Sequence, residues 1–209
     1  TTKRVSTVAV ATRKLIGCAV SPGGVIYSTT GMGGGQIHAL VTVDPVDGQV
    51  TVVGPLLAAD NVPRSISAIA FVGAELYGTD TGCCSASNRV VKIDTASGAL
   101  TFAGAGPGPL GRGNAIAARD GTSLYYADNT GGQLSSVSTI DSSVTGGPQL
   151  TGSFQPDTAQ GMTLINDVLY IGERSTPSTV LSVDRTTGAM TPFVALPAPT
   201  NGLCPTPVS

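Results

Sequence analysis

Side chains able to do chemistry are few in this chain, and their spacing limits what they can do. A single histidine, His38, stands between a glycine run and a strand-like stretch, with no assignable partner as base or nucleophile. A Ser-His-Asp triad would need that one imidazole, and no G-x-S-x-G turn raises a serine nucleophile. The four cysteines, Cys18, Cys83, Cys84 and Cys204, include no CxxC pair and cannot build a Cys/His zinc cluster with one histidine. Gly33-Gly34-Gly35 lacks the Lys-Ser/Thr of a phosphate-cradling loop and does not open a helix. Of the 13 carboxylates, Asp44, Asp94, Asp141 and Asp184 recur at one kind of position and read as turn formers, not acids or bases. Asp47-Gly48 and Asp120-Gly121 are turn signals too. The inventory leans away from an enzyme, and it points to no catalytic residue, no metal and no cofactor.

The elements that must carry these residues are short strands. The 209 residues make one domain or two small ones, ample for a buried core. Only 11% are charged, under half of the usual quarter, while Gly (28) and Pro (14) interrupt every candidate helix. With 41% hydrophobic residues and a net charge of −2, disorder is excluded. The 11 basic residues are scattered singly and cannot track a phosphate backbone, so nucleic acid is not an expected partner. No apolar run approaches a membrane span. An even cysteine count in a charge-poor, Thr/Ser-rich chain suggests disulfides in an oxidising compartment, and a first residue Thr1 fits a chain freed of a secretory signal. The expected location is extracellular, secreted or at the cell surface.

Self-similarity is the informative signal. Val43-Asp44-Pro45-Val46-Asp47-Gly48 recurs as Ile93-Asp94-Thr95-Ala96-Ser97-Gly98 and as Val183-Asp184-Arg185-Thr186-Thr187-Gly188. A looser copy, Ile140-Asp141 followed by Gly146, carries one extra residue. An apolar-Thr pair follows each of the three close copies: Val50-Thr51, Leu100-Thr101 and Met190-Thr191. Upstream lies a second marker, Ile26-Tyr27, Leu76-Tyr77, Leu124-Tyr125 and Leu169-Tyr170, so four of the 5 tyrosines share one repeat position. Period-two alternation, as in Val41-Thr42-Val43 and Val91-Lys92-Ile93, makes each unit four short strands. In the second unit these are residues 67–72, 75–79, 89–94 and 99–103, with tight hairpins at Val72-Gly73-Ala74 and, in later units, at Asp120-Gly121-Thr122 and Ile165-Asn166-Asp167.

Four such units resemble a β-propeller with four blades of four antiparallel strands, an all-β fold. The apolar-x-x-[VI]-D-x-x-x-G signature is similar to the blades of secreted NHL-like and lactonase-like propellers, without the tryptophans of WD repeats. The expected organisation is an extra amino-terminal strand over residues 1–12, a propeller over 13–197 and a closing tail over 198–209. Residues 4–10 look like the fourth strand of a blade and 201–204 like a first strand. On the propeller path that tail arrives beside the strand holding Cys18, so a Cys18–Cys204 disulfide would staple the ring. Cys83 and Cys84 are then left to each other as a vicinal bridge, with bridges to other chains or another connectivity as the alternatives.

In propellers the second-to-third-strand loops and the interblade loops share one face. Here that face would carry residues 30–36, 80–88, 128–132 and 173–178, with Asp80, Arg89, Asp128, Asn129, Glu173 and Arg174 as its polar candidates for a ligand. Lactonase-like propellers hold a central metal with carboxylates and amides; Asp128-Asn129 could imitate part of such a set, but the other blades supply no match. A low-charge surface with strand-like ends suits packing against copies of the same chain, in filaments or sheets. The expected role is a non-catalytic structural or adhesive module that self-assembles. The alternative is a ligand-binding propeller that takes a glycan or a cell-surface protein on the longer-loop face. A metal-dependent hydrolase or lyase stands third.

Overall fold

The computed structural model describes residues 15–31, 38–80, 87–105, 108–111, 115–127, 132–152, 159–173, 178–196 and 202–204. It is a four-bladed β-propeller. Blade 1 is β1 (Leu15–Val20), β2 (Ile26–Thr30), β3 (Ala39–Val43) and β4 (Val50–Pro55). Blade 2 is β5 (Ile66–Val72), β6 (Glu75–Asp80), β7 (Arg89–Ile93) and β8 (Leu100–Phe102). Blade 3 is β9 (Ala115–Ala118), β10 (Ser123–Ala127), β11 (Leu134–Ser138) and β12 (Val144–Thr145). Blade 4 is β13 (Ala159–Ile165), β14 (Val168–Glu173), β15 (Ser178–Val183) and β16 (Met190–Leu196). Each blade pairs its strands in sequence order, and the first strands β1, β5, β9 and β13 surround the axis. Among the described residues no helix is long and apolar enough to cross a membrane.

The repeated turn has a physical basis. In blades 1, 2 and 4 the backbone N–H of Gly48, Gly98 or Gly188 donates to the carbonyl of Asp44, Asp94 or Asp184 at 2.9, 2.8 and 2.8 Å. The same aspartates accept from the N–H two residues on with Oδ1. Each glycine has φ between 73° and 79°, a conformation that a Cβ disfavours.

Blade 3 corrects the alignment of its copy. Its turn starts three residues earlier, at Ser138 rather than Asp141: Ser142 N–H donates to Ser138 O at 3.1 Å, and Ser142 itself takes the positive φ, 62°. Ser138 therefore stands at the aspartate position, its Oγ accepting from Ile140 N–H at 3.1 Å, and Ser142 at the glycine position. Asp141 corresponds to Asp47, Ser97 and Thr187, whose side chains also accept from the N–H two residues on. Ser142 pays for its backbone strain with bonds across the junction. Its fully buried Oγ accepts from Val90 N–H at 2.9 Å and donates to Ala103 O at 3.0 Å, joining blades 2 and 3.

The tyrosine marker is a register row. Straight across each sheet lie Ala19–Tyr27–Thr42–Thr51, Ala70–Tyr77–Lys92–Thr101, Ala117–Tyr125–Ser136–Thr145 and Thr163–Tyr170–Ser182–Thr191. Each row sits on the blade face turned toward the following blade. Tyr27, Tyr77 and Tyr125 pack against the apolar clusters of their junctions.

Three clusters weld three junctions. Leu40, Leu56, Ile66, Leu76 and Ile93 join blades 1 and 2; Val90, Ile116, Leu124, Tyr126 and Val137 join blades 2 and 3; Leu134, Leu169, Ile171 and Leu181 join blades 3 and 4. Among the described residues the junction of blade 4 with blade 1 has no such cluster. Residues 202–204 lie there, between β13 and β1. A Cβ on Gly161 would stand 2.4 Å from Leu203 N, and one on Gly202 would stand 3.1 Å from Ile16 O. At Gly161 only a glycine allows this approach. The Cys18–Cys204 disulfide, Cα atoms 5.4 Å apart across 186 positions of sequence, secures the tail as the end strands suggested.

Candidate functional site

The axis of the ring is closed by apolar side chains. Gly17, Ile69, Ile116, Met162 and Leu203 leave a space of only about 10 Å³ between them. At the short-hairpin end it widens to a cavity of about 110 Å³ walled by Val20, Phe71, Ala118, Leu164 and Leu203. Among the described residues no group of three or more His, Cys, Asp or Glu side chains could hold a metal ion.

Of the sequence candidates, Asp128, Asn129 and Arg174 lie outside the described residues, as do Cys83 and Cys84. Asp80 and Arg89 come together: they are directly paired across β6 and β7, at the longer-loop end of blade 2. Glu173 ends β14, the corresponding strand of blade 4, and is buried. The two carboxylates thus belong to different blades.

Around Asp80 a cluster forms that includes an arginine absent from the sequence candidates. Asp80 is 1% exposed; its Oδ2 accepts from Ser87 N–H at 2.9 Å and lies 3.8 Å from Arg64 Nη1. Arg64 arrives from the segment linking β4 to β5, is 8% exposed, and also donates to the Asp60 carboxylate. Phe102 is flanked by both guanidiniums, with Arg64 Cζ 5.3 Å and Arg89 Cζ 4.1 Å from its centroid. Arg89 Nη1 donates to Gly104 O at 2.8 Å. Hydrogen bonds from Val62 N–H first, then Arg64, hold the Asp60 carboxyl below its ordinary range. Among the described residues Asp80 Oδ1 has no hydrogen-bond partner, and neither has the buried His38 Nδ1. A carboxylate so enclosed is stable only with its counter-charge beside it. The arrangement ties the β4–β5 segment to blade 2. Arg64 escaped sequence reasoning because it lies outside the repeat; the one available hint was a lone arginine in an apolar connector.

The short-hairpin side carries a different pairing. Tyr125 Oη accepts from Arg185 Nη1 at 3.2 Å, and Arg185 Nη2 is 2.8 Å from Asp167 Oδ2. In blade 2 the same row is neutralised: Tyr77 Oη donates to Glu75 Oε2 at 2.7 Å, and Glu75 also pairs with Lys92. Burial first, then Glu75, pushes the Tyr77 hydroxyl above its ordinary value.

No protein-family model matches the sequence, and no curated protein matches it. Solved structures do. One is the PQQ-bound aldose sugar dehydrogenase from Streptomyces coelicolor, 13% identical, with a TM-score of 0.57, covering 97% of this chain and 88% of that one. A second is a streptogramin B lyase, 14% identical, with a TM-score of 0.51, covering 86% of this chain and 54% of that one. At these identities the likeness is one of fold: both are β-propeller proteins.

Proposed function

We propose that this chain is a non-catalytic extracellular propeller, a structural or adhesive module that associates with copies of itself. One observation carries the reading: three junctions have apolar cores and the fourth has a tail and a disulfide. Its flanks keep apolar side chains partly open to solvent. Ile165, Val168 and Phe193 on blade 4 are 38–39% exposed and Val52 on blade 1 is 48% exposed. Among the described residues the axial space is lined by apolar side chains and the Thr163 hydroxyl, with no ionisable group. A disulfide that encloses nearly the whole chain suits an oxidising, extracellular setting.

The proposed organisation keeps residues 1–12 as an extra strand and 198–209 as a closing tail. In this reading the segment Thr1–Val10, which alternates and has few charges, adds to a blade edge of a neighbouring copy. The test compares the full chain with one lacking residues 1–10 by light scattering and electron microscopy. Concentration-dependent oligomers that shrink on truncation, with circular dichroism unchanged, are expected. An unchanged oligomeric state would sink the assembly role. Saturable binding on a glycan array by a strictly monomeric chain would favour the ligand-binding alternative.

A further inference from the structure

One tyrosine row differs from the others in what surrounds it. Tyr27 packs its ring on Phe71 at 5.7 Å, Tyr77 is tied to Glu75, and Tyr170 meets Phe193 at 4.8 Å. Tyr125 instead stands between two arginines. Arg119 comes from the β9–β10 turn of its own blade and Arg185 from the β15–β16 turn of blade 4; their Cζ atoms lie 5.8 and 5.9 Å from the ring centroid. Ser136 and Thr145 continue the row toward the rim. These side chains, with Leu134 and Pro148, frame an open cleft of about 160 Å³ along the groove between blades 3 and 4.

Junction chemistry explains one of the arginines and not the other. Arg185 bonds Tyr125 and pairs with Asp167, so it holds blade 4 to blade 3. Arg119 is exposed, and among the described residues no carboxylate lies within ion-pair distance of it. Of the side chains that line the cleft two are guanidiniums and none is a carboxylate. A guanidinium fork matches a carboxylate with two parallel hydrogen bonds, and the Ser136 and Thr145 hydroxyls can both donate and accept. The cleft has the volume of roughly five waters at liquid density and is open to solvent, so a single sugar ring would fill it and protrude.

We propose that the groove between blades 3 and 4 is a binding site for a carboxylate-bearing monosaccharide unit, an acidic sugar. Arg119 takes the carboxylate, Arg185 orients it while keeping Tyr125 in place, and Ser136 and Thr145 meet the ring hydroxyls. The site is independent of the open junction on the far face of blade 4, so self-association can fail without affecting it.

The experiment titrates the full chain by calorimetry with glucuronate, glucose and inorganic sulfate in turn. Saturable glucuronate binding is expected, with glucose and sulfate each at least tenfold weaker. Arg119→Ala should weaken glucuronate about tenfold or more, the loss of one charge-assisted bond, at an unchanged melting temperature. Arg185→Lys, which keeps the charge but not the fork, should weaken it as well. The proposal is overturned if glucuronate does not bind, if glucose or sulfate binds as tightly, or if Arg119→Ala binds as the parent does.

Discussion

Removing the Cys18–Cys204 disulfide tests whether the tail truly holds the ring. The bridge spans 186 positions, so the chain-entropy relation gives a stabilisation of about 5 kcal/mol at 25 °C as its upper value. Residual structure in the denatured chain reduces this, and a loss of about 2–5 kcal/mol is expected for Cys18→Ser/Cys204→Ser. For a chain of this length that lowers Tm by roughly 5–15 °C. Scanning calorimetry and urea unfolding of parent and double variant measure it. Gly161→Ala attacks the same contact without touching sulfur, because its Cβ would stand 2.4 Å from Leu203 N and drive the tail out of the gap. Both changes release one segment, so together they should cost clearly less than the sum of the separate losses. A loss under about 1 kcal/mol for the cysteine variant, or full additivity with Gly161→Ala, would refute the stapled ring.

Arg64→Ala strands the buried Asp80 carboxylate and should cost about 3–5 kcal/mol in urea unfolding, with much of this recovered in Arg64→Ala/Asp80→Asn; equal losses would show that Arg64 acts only by packing. Acid should destabilise the turns, because hydrogen bonds depress four carboxyls: chiefly the Ser97 hydroxyl for Asp94, the Ser123 hydroxyl for Asp120, Ser143 N–H for Asp141 and Thr187 N–H for Asp184. Their folded-state pKa values lie below the unfolded ones, so this stability is fully present above about pH 4 and is lost as pH falls through the folded values. Replacing Asp94 and Asp184 by Ala should flatten the fall in the urea midpoint between pH 5 and 2; parallel curves for parent and variant would count against the turn hydrogen bonds.

The blades were legible because their signals are local. Alternation and the Asp-x-x-x-Gly turn placed β5 to β8 within a residue or two of Ile66–Val72, Glu75–Asp80, Arg89–Ile93 and Leu100–Phe102. Blade 3 misled for an identifiable reason: Ser138 and Ser142 stand where the other turns use aspartate and glycine, so the repeat pattern matched Asp141 and Gly146, three and four residues late. The sequence put Asp80 and Arg89 on one face, but their direct pairing needed the register of β6 on β7, and Arg64 joins them through folding of a connector that no repeat describes. The Tyr125 cleft needed two blades at once. Arg119 and Arg185 are 66 residues apart, and only the packing of blade 4 on blade 3 sets them on either side of one ring.

The position of the disulfide also decides how the protein responds to being pulled. Tension entering before Cys18 and leaving after Cys204 passes through the sulfur–sulfur bond and bypasses every blade. The enclosed 186 positions, which would otherwise pay out roughly 600 Å of slack when extended, carry no load. Oxidised, the propeller is a short inextensible link with its sheets mechanically idle. Reduced, the same molecule must carry the load through its blades.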